Sequence, residues 1–310
     1  MCGLFGAIGY NWNEGTIRAL VWANQERGTD SLGFFDSSGK MIKAADTPTD
    51  ALRKENISRW LNASCNGSEK MDRSASWFIA GHTRLATRGS VNRQNSHPFR
   101  YGRIIGSHNG MIDAPKGYVV DSQHLFDALH KARGDYNVAW AAITGYWAVT
   151  WYDDNAFYLQ VHNGDLTLAR KGGVWYYSSS WAHLESCIGS ADEIITLGEG
   201  ETVKFTLENG VVVKAAADKF VSSAPDYWAK KYGYSNTNDW ENEYYGGQTG
   251  RRHGAGSKGS WYETHGGKGS WHDANDSTTD TTTPSKDYDA QWREAWEDYC
   301  TESEHSKLGF

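Results

Sequence analysis

Cys2-Gly3-Leu4-Phe5-Gly6-Ala7-Ile8 stands at the head of the chain, and its reading decides the rest. Leu4 to Ile8 is apolar and broken by glycine, which suits a buried strand. Cys2 lies just before that strand. Removal of Met1 would leave an α-amine and a thiol on one residue. An α-amine titrates at roughly 7.7–8.0, much nearer neutrality than a lysine. It can serve as general base for its own side chain, directly or through one water. The thiolate so formed is a strong nucleophile toward an amide carbonyl. Cys2 alone is equally well a small buried residue beside a glycine.

Outward from this strand, the chain alternates strand-like and helix-like segments as far as about Ala217. Asn13 can cap a helix whose Ile17, Leu20, Val21 and Asn24 share one face, with Gly28 closing it. Ser31–Phe35 and Lys40–Ala45 flank Ser37-Ser38-Gly39, a hairpin signal. Trp77–Ala80 and Ile104–Ser107 read as strands. Ser122–Ala132 carries Leu125, Leu129 and Ala132 at helical spacing. Then Trp147–Trp151, Phe157–Val161, Val174–Tyr177 and Val203–Phe205 give short β-type runs between polar turns. Strand clusters mixed with helices predict layered sheets covered by helices.

Several further motifs carry side chains suited to one ligand. Arg27-Gly28-Thr29-Asp30-Ser31, His82-Thr83-Arg84-Leu85-Ala86-Thr87-Arg88-Gly89, Asn95-Ser96-His97-Pro98, His108-Asn109-Gly110 and Val120-Asp121-Ser122 follow the opening Cys2-Gly3-Leu4-Phe5-Gly6 in order. Together they resemble the class II glutamine amidotransferases, a branch of the N-terminal nucleophile hydrolases, over roughly the first two-thirds of the chain. Leu85 and Arg88 stand where many members have Trp and His. The resemblance implies an α+β fold, a four-layer αββα sandwich, with L-glutamine as substrate. It implies Cys2 as nucleophile and the Asn109 side-chain amide with the Gly110 N–H as oxyanion donors. Glutamine's α-carboxylate needs a cation, and Arg84 offers a bidentate fork. Its α-ammonium needs an anion, and Asp121 is the matching position. Thr87 and Gly89 belong to the loop that closes over the substrate, and His97 completes the implied binding set.

The 310 residues carry a formal charge of −7, with 39% hydrophobic residues. That balance gives no global pull toward nucleic acid or an anionic membrane. The four cysteines, Cys2, Cys65, Cys187 and Cys300, form no CxxC pair and match no zinc spacing. His82, His97 and His108 are too far apart for a compact ligand motif, so neither a metal nor a cofactor is expected. No basic n-region precedes an apolar run, and no run is long enough to span a bilayer, so a cytoplasmic location is expected.

A catalytic domain is expected over residues 1–217. Residues 218–284 are rich in Gly, Ser, Asn, Thr, Trp and Tyr, which predicts a solvated linker lacking enough aliphatic surface to fold. This segment repeats itself at Lys258-Gly259-Ser260-Trp261 and Lys268-Gly269-Ser270-Trp271. In residues 285–310, Trp292, Trp296 and Tyr299 fall at i, i+4 and i+7, an aromatic stripe for a short helix that either docks a partner or straps back onto the catalytic domain. No second synthase-like domain is legible, so ammonia is expected to pass to a separate acceptor enzyme. A stand-alone γ-glutamyl amidohydrolase and a non-enzymatic protein retaining the fold are the alternatives.

Overall fold

Strand β1 (Gly3–Ile8) is buried along its whole length. It lies antiparallel between β4 (Phe78–Arg84) and β10 (Val174–Ser178). Its side chains alternate: Leu4 and Ile8 enter one apolar cluster, Phe5 and Ala7 another. A strand covered on both faces needs apolar residues at successive positions, and this explains the unbroken run in the sequence. The computed structural model describes residues 2–65 and 76–216. The expected linker, the terminal Trp292 stripe and Cys300 lie outside those residues.

Among the described residues β1 is central to a seven-stranded sheet, in the order β11-β9-β10-β1-β4-β2-β3. Its other members are β2 (Ser31–Asp36), β3 (Met41–Ala44), β9 (Thr167–Lys171) and β11 (Glu193–Thr196). A second sheet of six strands runs β13-β12-β8-β7-β6-β5. It comprises β5 (Phe99–Tyr101), β6 (Ile104–Ile112), β7 (Gly145–Tyr152), β8 (Ala156–His162), β12 (Thr202–Glu208) and β13 (Val211–Ala216). All recorded pairings are antiparallel, as short turns between neighbours allow.

Three apolar clusters divide the molecule into four layers. Leu4, Phe35, Phe78 and Ala80 of the first sheet meet Ile105, Ala148, Phe157 and Leu159 of the second. Phe78 stacks on Phe157 at 4.4 Å between ring centroids, so the seam between the sheets is aromatic. Truncating either ring to Ala would cost about 3–5 kcal/mol. On the outer face of the first sheet, Phe5, Phe34 and Ile79 pack under four helices. These are α1 (Glu14–Gln25), α2 (Pro48–Arg53), α3 (Glu55–Cys65) and α6 (Trp181–Ile188). Outside the second sheet, Trp147, Val149 and Trp151 pack under α4 (Asp121–Lys131) and α5 (Tyr136–Ala142). The order helix, sheet, sheet, helix is the expected αββα sandwich.

Local chemistry fixes the elements that carry the site. The Asn13 side chain accepts from the Thr16 N–H at 2.9 Å and starts α1, whose buried face includes Ile17, Leu20, Val21 and Asn24. The β2–β3 hairpin turns at Gly39, where φ is +75°, with the Asp36 carboxylate accepting from the Ser38 and Lys40 N–H groups. Gly28 does not close α1 as expected. The helix ends at Glu26 in right-handed geometry, without a left-handed glycine. Gly28 is needed for a different reason: a Cβ there would sit 2.5 Å from the Arg84 carbonyl carbon. It lets the chain after α1 lie against the end of β4.

Candidate active site

Four segments converge on Cys2: the start of β1, the end of β4 with the loop after it, the second half of β6, and the N-terminus of α4. Cys2 is half-buried. Its Sγ lies 3.4 Å from the Leu85 N–H, which donates to it, and 3.6 Å from the Leu85 carbonyl. Burial pushes the thiol above its ordinary value. The Leu85 N–H, the N-terminal charge and Arg84 pull it down, and Asp121 pushes it up. The thiol therefore stays protonated near neutrality and needs a base to ionise.

The Cys2 backbone N donates to Asn109 Oδ1 at 3.1 Å. This bond orients the amide of Asn109, because a donor facing it calls for Oδ1 and turns Nδ2 with its two protons away. Gly110 follows with φ +149°, and a Cβ there would lie 2.2 Å from the Tyr146 carbonyl oxygen. Only glycine lets β6 pass this close to β7 at that point. Asn109 and Gly110 both line a pocket that includes Cys2.

Arg84 ends β4 and is almost fully buried. Its Nη2 donates to the Arg88 carbonyl at 2.6 Å and its Nη1 to the Ser90 carbonyl at 3.3 Å. Those bonds occupy two of its five N–H groups and pin the loop after β4. Desolvation lowers its pKa, opposed by the carboxylates Asp30 and Asp121. Asp121 opens α4, where the helix dipole favours a carboxylate. Its Oδ2 accepts from the Ile112 N–H at 3.1 Å and its Oδ1 from the Ser122 N–H at 2.9 Å.

Cys2, Arg84, Thr87, His97, Gly110 and Asp121 all line one narrow pocket of about 20 Å³. Gly89 lines neither this pocket nor its neighbour; it sits in the loop at φ +76°, where a Cβ would meet Val120 at 2.9 Å. The pocket is walled by His97 and His108. The His97 ring lies against that of His82, 3.9 Å between centroids and tilted by 39°, and neither ring nitrogen of His97 has a hydrogen-bond partner among the described residues. His82 Nε2 lies 3.1 Å from the His108 carbonyl, and His108 Nδ1 lies 3.0 Å from Ser122 Oγ. Burial pushes His82 down to about 3 and lowers His97 and His108 as well. All three rings are neutral at physiological pH. Among the described residues no group of three or more His, Cys, Asp or Glu is placed to hold a metal ion.

Two residues gain a position that the sequence reading does not assign. Arg27 Nε donates to the Cys2 carbonyl at 3.1 Å. Asp30 Oδ2 accepts from the Ala86 N–H at 2.6 Å, while the Asp30 N–H donates to the Arg84 carbonyl at 2.9 Å. The signal for both is the Arg27-Gly28-Thr29-Asp30-Ser31 motif, whose spacing alone gives no role to each member.

No protein-family model matches the chain. Over 278 residues it is 25% identical to glutamine–fructose-6-phosphate aminotransferase (isomerizing) of Campylobacter jejuni, covering 76% of this chain and 42% of that protein. The protein of the same name from Listeria innocua is 32% identical over 115 residues, which is 36% of this chain and 17% of its own length. Glutamine phosphoribosylpyrophosphate amidotransferase from B. subtilis shares the fold, with a TM-score of 0.52 at 14% identity over 69% of this chain and 49% of that one. In sequence and in fold, the chain is similar to class II glutamine amidotransferases. It spans less than half the length of the curated relatives just described. A second solved enzyme, described as the allosteric regulatory enzyme of purine biosynthesis, shares the fold with a TM-score of 0.53 at 15% identity.

Proposed function

We propose that this amidotransferase domain hydrolyses the side-chain amide of L-glutamine through a thioester on Cys2. The observation that carries the reading is the placement of Cys2 at the lip of a pocket walled by Arg84 and Asp121, with its own N–H on Asn109. Arg84 receives the α-carboxylate and Asp121 the α-ammonium, so a free amino acid is bound by both charged ends. Thr87, His97 and the loop held by Gly89 enclose it. The α-amine exposed by loss of Met1 takes the thiol proton, which the raised thiol pKa makes necessary. Sulfur then attacks the amide carbon, and the oxyanion is held by Asn109 Nδ2 and the Gly110 N–H. The C–N bond breaks as the protonated amine returns its proton to the departing nitrogen. Water, activated by the same amine, cleaves the thioester and releases glutamate.

The ammonia passes to an acceptor, in this reading a separate enzyme. Support for transfer comes from the relatives, which are named as an aminotransferase and an amidotransferase. The test is intact-protein mass spectrometry after treatment with a diazo-ketone analogue of glutamine, alongside ammonia release from glutamine. One adduct on Cys2 in a chain lacking Met1, with turnover abolished in Cys2→Ala, supports the proposal. Retained Met1, no adduct and no ammonia would sink it. Transfer to a partner is read separately, as incorporation of amide nitrogen from labelled glutamine into product only when the acceptor enzyme is added.

A further inference from the structure

Cys2 faces two pockets. The inner one holds Arg84, Asp121, Asn95, His97, His108 and Ser122. The outer one, about 160 Å³ and open to solvent, is lined by Arg27, Asn109, Met111, Tyr146, Asn163 and Asp165 among others. Cys2, Leu85, Thr87 and Gly110 belong to both. The nucleophile therefore sits at the junction, with a chamber on either side.

The stereochemistry of attack assigns the second chamber. Once sulfur has added, the carbon bears sulfur, an oxyanion, a methylene chain and nitrogen. The chain leads into the inner pocket, where its charged ends bind, and the oxyanion faces Asn109 and Gly110. The nitrogen is left pointing to the outer side. An ammonia is water-sized, and a cavity needs only about 10–15 Å³ to hold a water. The outer pocket, at about 160 Å³, has room for a group well beyond ammonia. Its wall is partly apolar: Met111 and Tyr146 are direct cross-strand partners on β6 and β7, Met111 is 37% exposed, and Leu85 is 40% exposed. A carboxylate, Asp165, and an amide, Asn163, lie exposed at the far side. Such a surface suits an organic group with an apolar body.

We infer that the outer pocket is a leaving-group subsite for N-substituted γ-glutamyl amides, whose departing amine carries an apolar or aromatic group. The inference rests on the glutaminase reading and widens its substrate class from glutamine to γ-glutamyl amides. The chemistry balances without any further reactant. Sulfur bonds to the γ-carbon, the C–N bond breaks, and the amine leaves with the proton returned by the α-amine. Water then splits the thioester, so one amide and one water give glutamate and one free amine.

The test compares L-glutamine, γ-L-glutamyl-methylamide and γ-L-glutamyl-benzylamide on the purified full chain, with glutamate release as readout. Benzylamine is the less basic leaving group, so a difference between the two amides reports the pocket only where it shrinks in the variants below. The benzylamide is expected to exceed the methylamide by about tenfold in kcat/KM. Met111→Arg, which fills the pocket with a charged side chain, is expected to lower the benzylamide-to-glutamine ratio at least tenfold. Tyr146→Ala, which removes the aromatic wall, is expected to lower the same ratio and covers the case where Met111→Arg fails to fold. Glutamine turnover with the benzylamide more than 100-fold poorer than glutamine would overturn the subsite and leave the glutaminase reading standing. An unchanged ratio in the folded variants would overturn the subsite in the same way. Absence of turnover on all three substrates overturns both.

Discussion

Asn109 offers the sharpest perturbation, because its two amide atoms face different tasks. Oδ1 accepts from the Cys2 N at 3.1 Å, and Nδ2 is the atom left for a developing oxyanion. Asn109→Asp keeps an acceptor for Cys2 but replaces the donor with an anionic oxygen. Asn109→Ala removes both. Loss of one oxyanion donor costs about 2.7–4 kcal/mol of transition-state stabilisation, or about 10²–10³ in kcat. Loss of the Cys2 contact adds roughly 1 kcal/mol at most. Both variants should therefore fall at least about 10²-fold in kcat, with KM for glutamine within about threefold of wild type. That split is the signature of an interaction made only in the transition state. The assay is steady-state glutamate release, accompanied by the rate at which a diazo-ketone labels Cys2, to show that the thiol remains in place. If Asn109→Ala kept kcat within about fivefold of wild type, or if KM rose while kcat held, the oxyanion assignment would be wrong.

Three other outcomes are expected. Arg84→Lys cannot fork between the Arg88 and Ser90 carbonyls, so KM for glutamine should rise about tenfold or more and amide exchange should quicken over residues 85–90; an unchanged KM would refute the role. Gly28→Ala drives a Cβ to within 2.5 Å of the Arg84 carbonyl carbon and should lower stability by about 1–3 kcal/mol, read as a lower urea midpoint. The buried histidines make stability fall with acid: an unfolded histidine takes a proton near 6.5, while folded His82 resists until about 3. Their contribution is complete above about pH 6.5 and is lost as pH drops toward 3. His82 alone should cost about 2 kcal/mol between pH 7 and pH 5, so equal urea midpoints at those two pH values would contradict the assignment.

Strands that fill the seam are legible because they are apolar at successive positions, as in β1 and β7. The ends of β4 and β6 are not. The apolar runs Trp77–Ala80 and Ile104–Ser107 stop where polar residues begin, yet Gly81, His82, Thr83 and Arg84 continue β4 and remain buried. They stay in the sheet through contacts no local pattern reveals. Thr83 Oγ1 donates to the Asn24 carbonyl, His82 faces the His108 carbonyl, and a Cβ on Gly81 would strike the Phe5 ring. Short or half-exposed elements such as α5, β9 and β11 also carry too weak a period to be seen. At the site, the motif resemblance points to Arg84 and Asp121, and the structure brings both to one pocket with Cys2. Arg27 and Asp30 escape because they act on backbone groups, whose positions depend on how distant segments pack.

The site straddles the two sheets. Arg84 ends a strand of one, with Cys2 just ahead of that sheet's β1; Asn109 and Gly110 belong to the other. At the site, hydrogen bonds from Cys2 to Asn109 and between His82 and the His108 carbonyl bridge them. The arrangement works as a caliper whose jaws are set by the thickness of a hydrocarbon seam. A cavity cut at Phe157, which lines neither pocket, would let the jaws drift while most of the seam stays closed. On heating such a variant, glutamine turnover should fade several degrees before the domain melts, so that catalysis reports the spacing of the sheets.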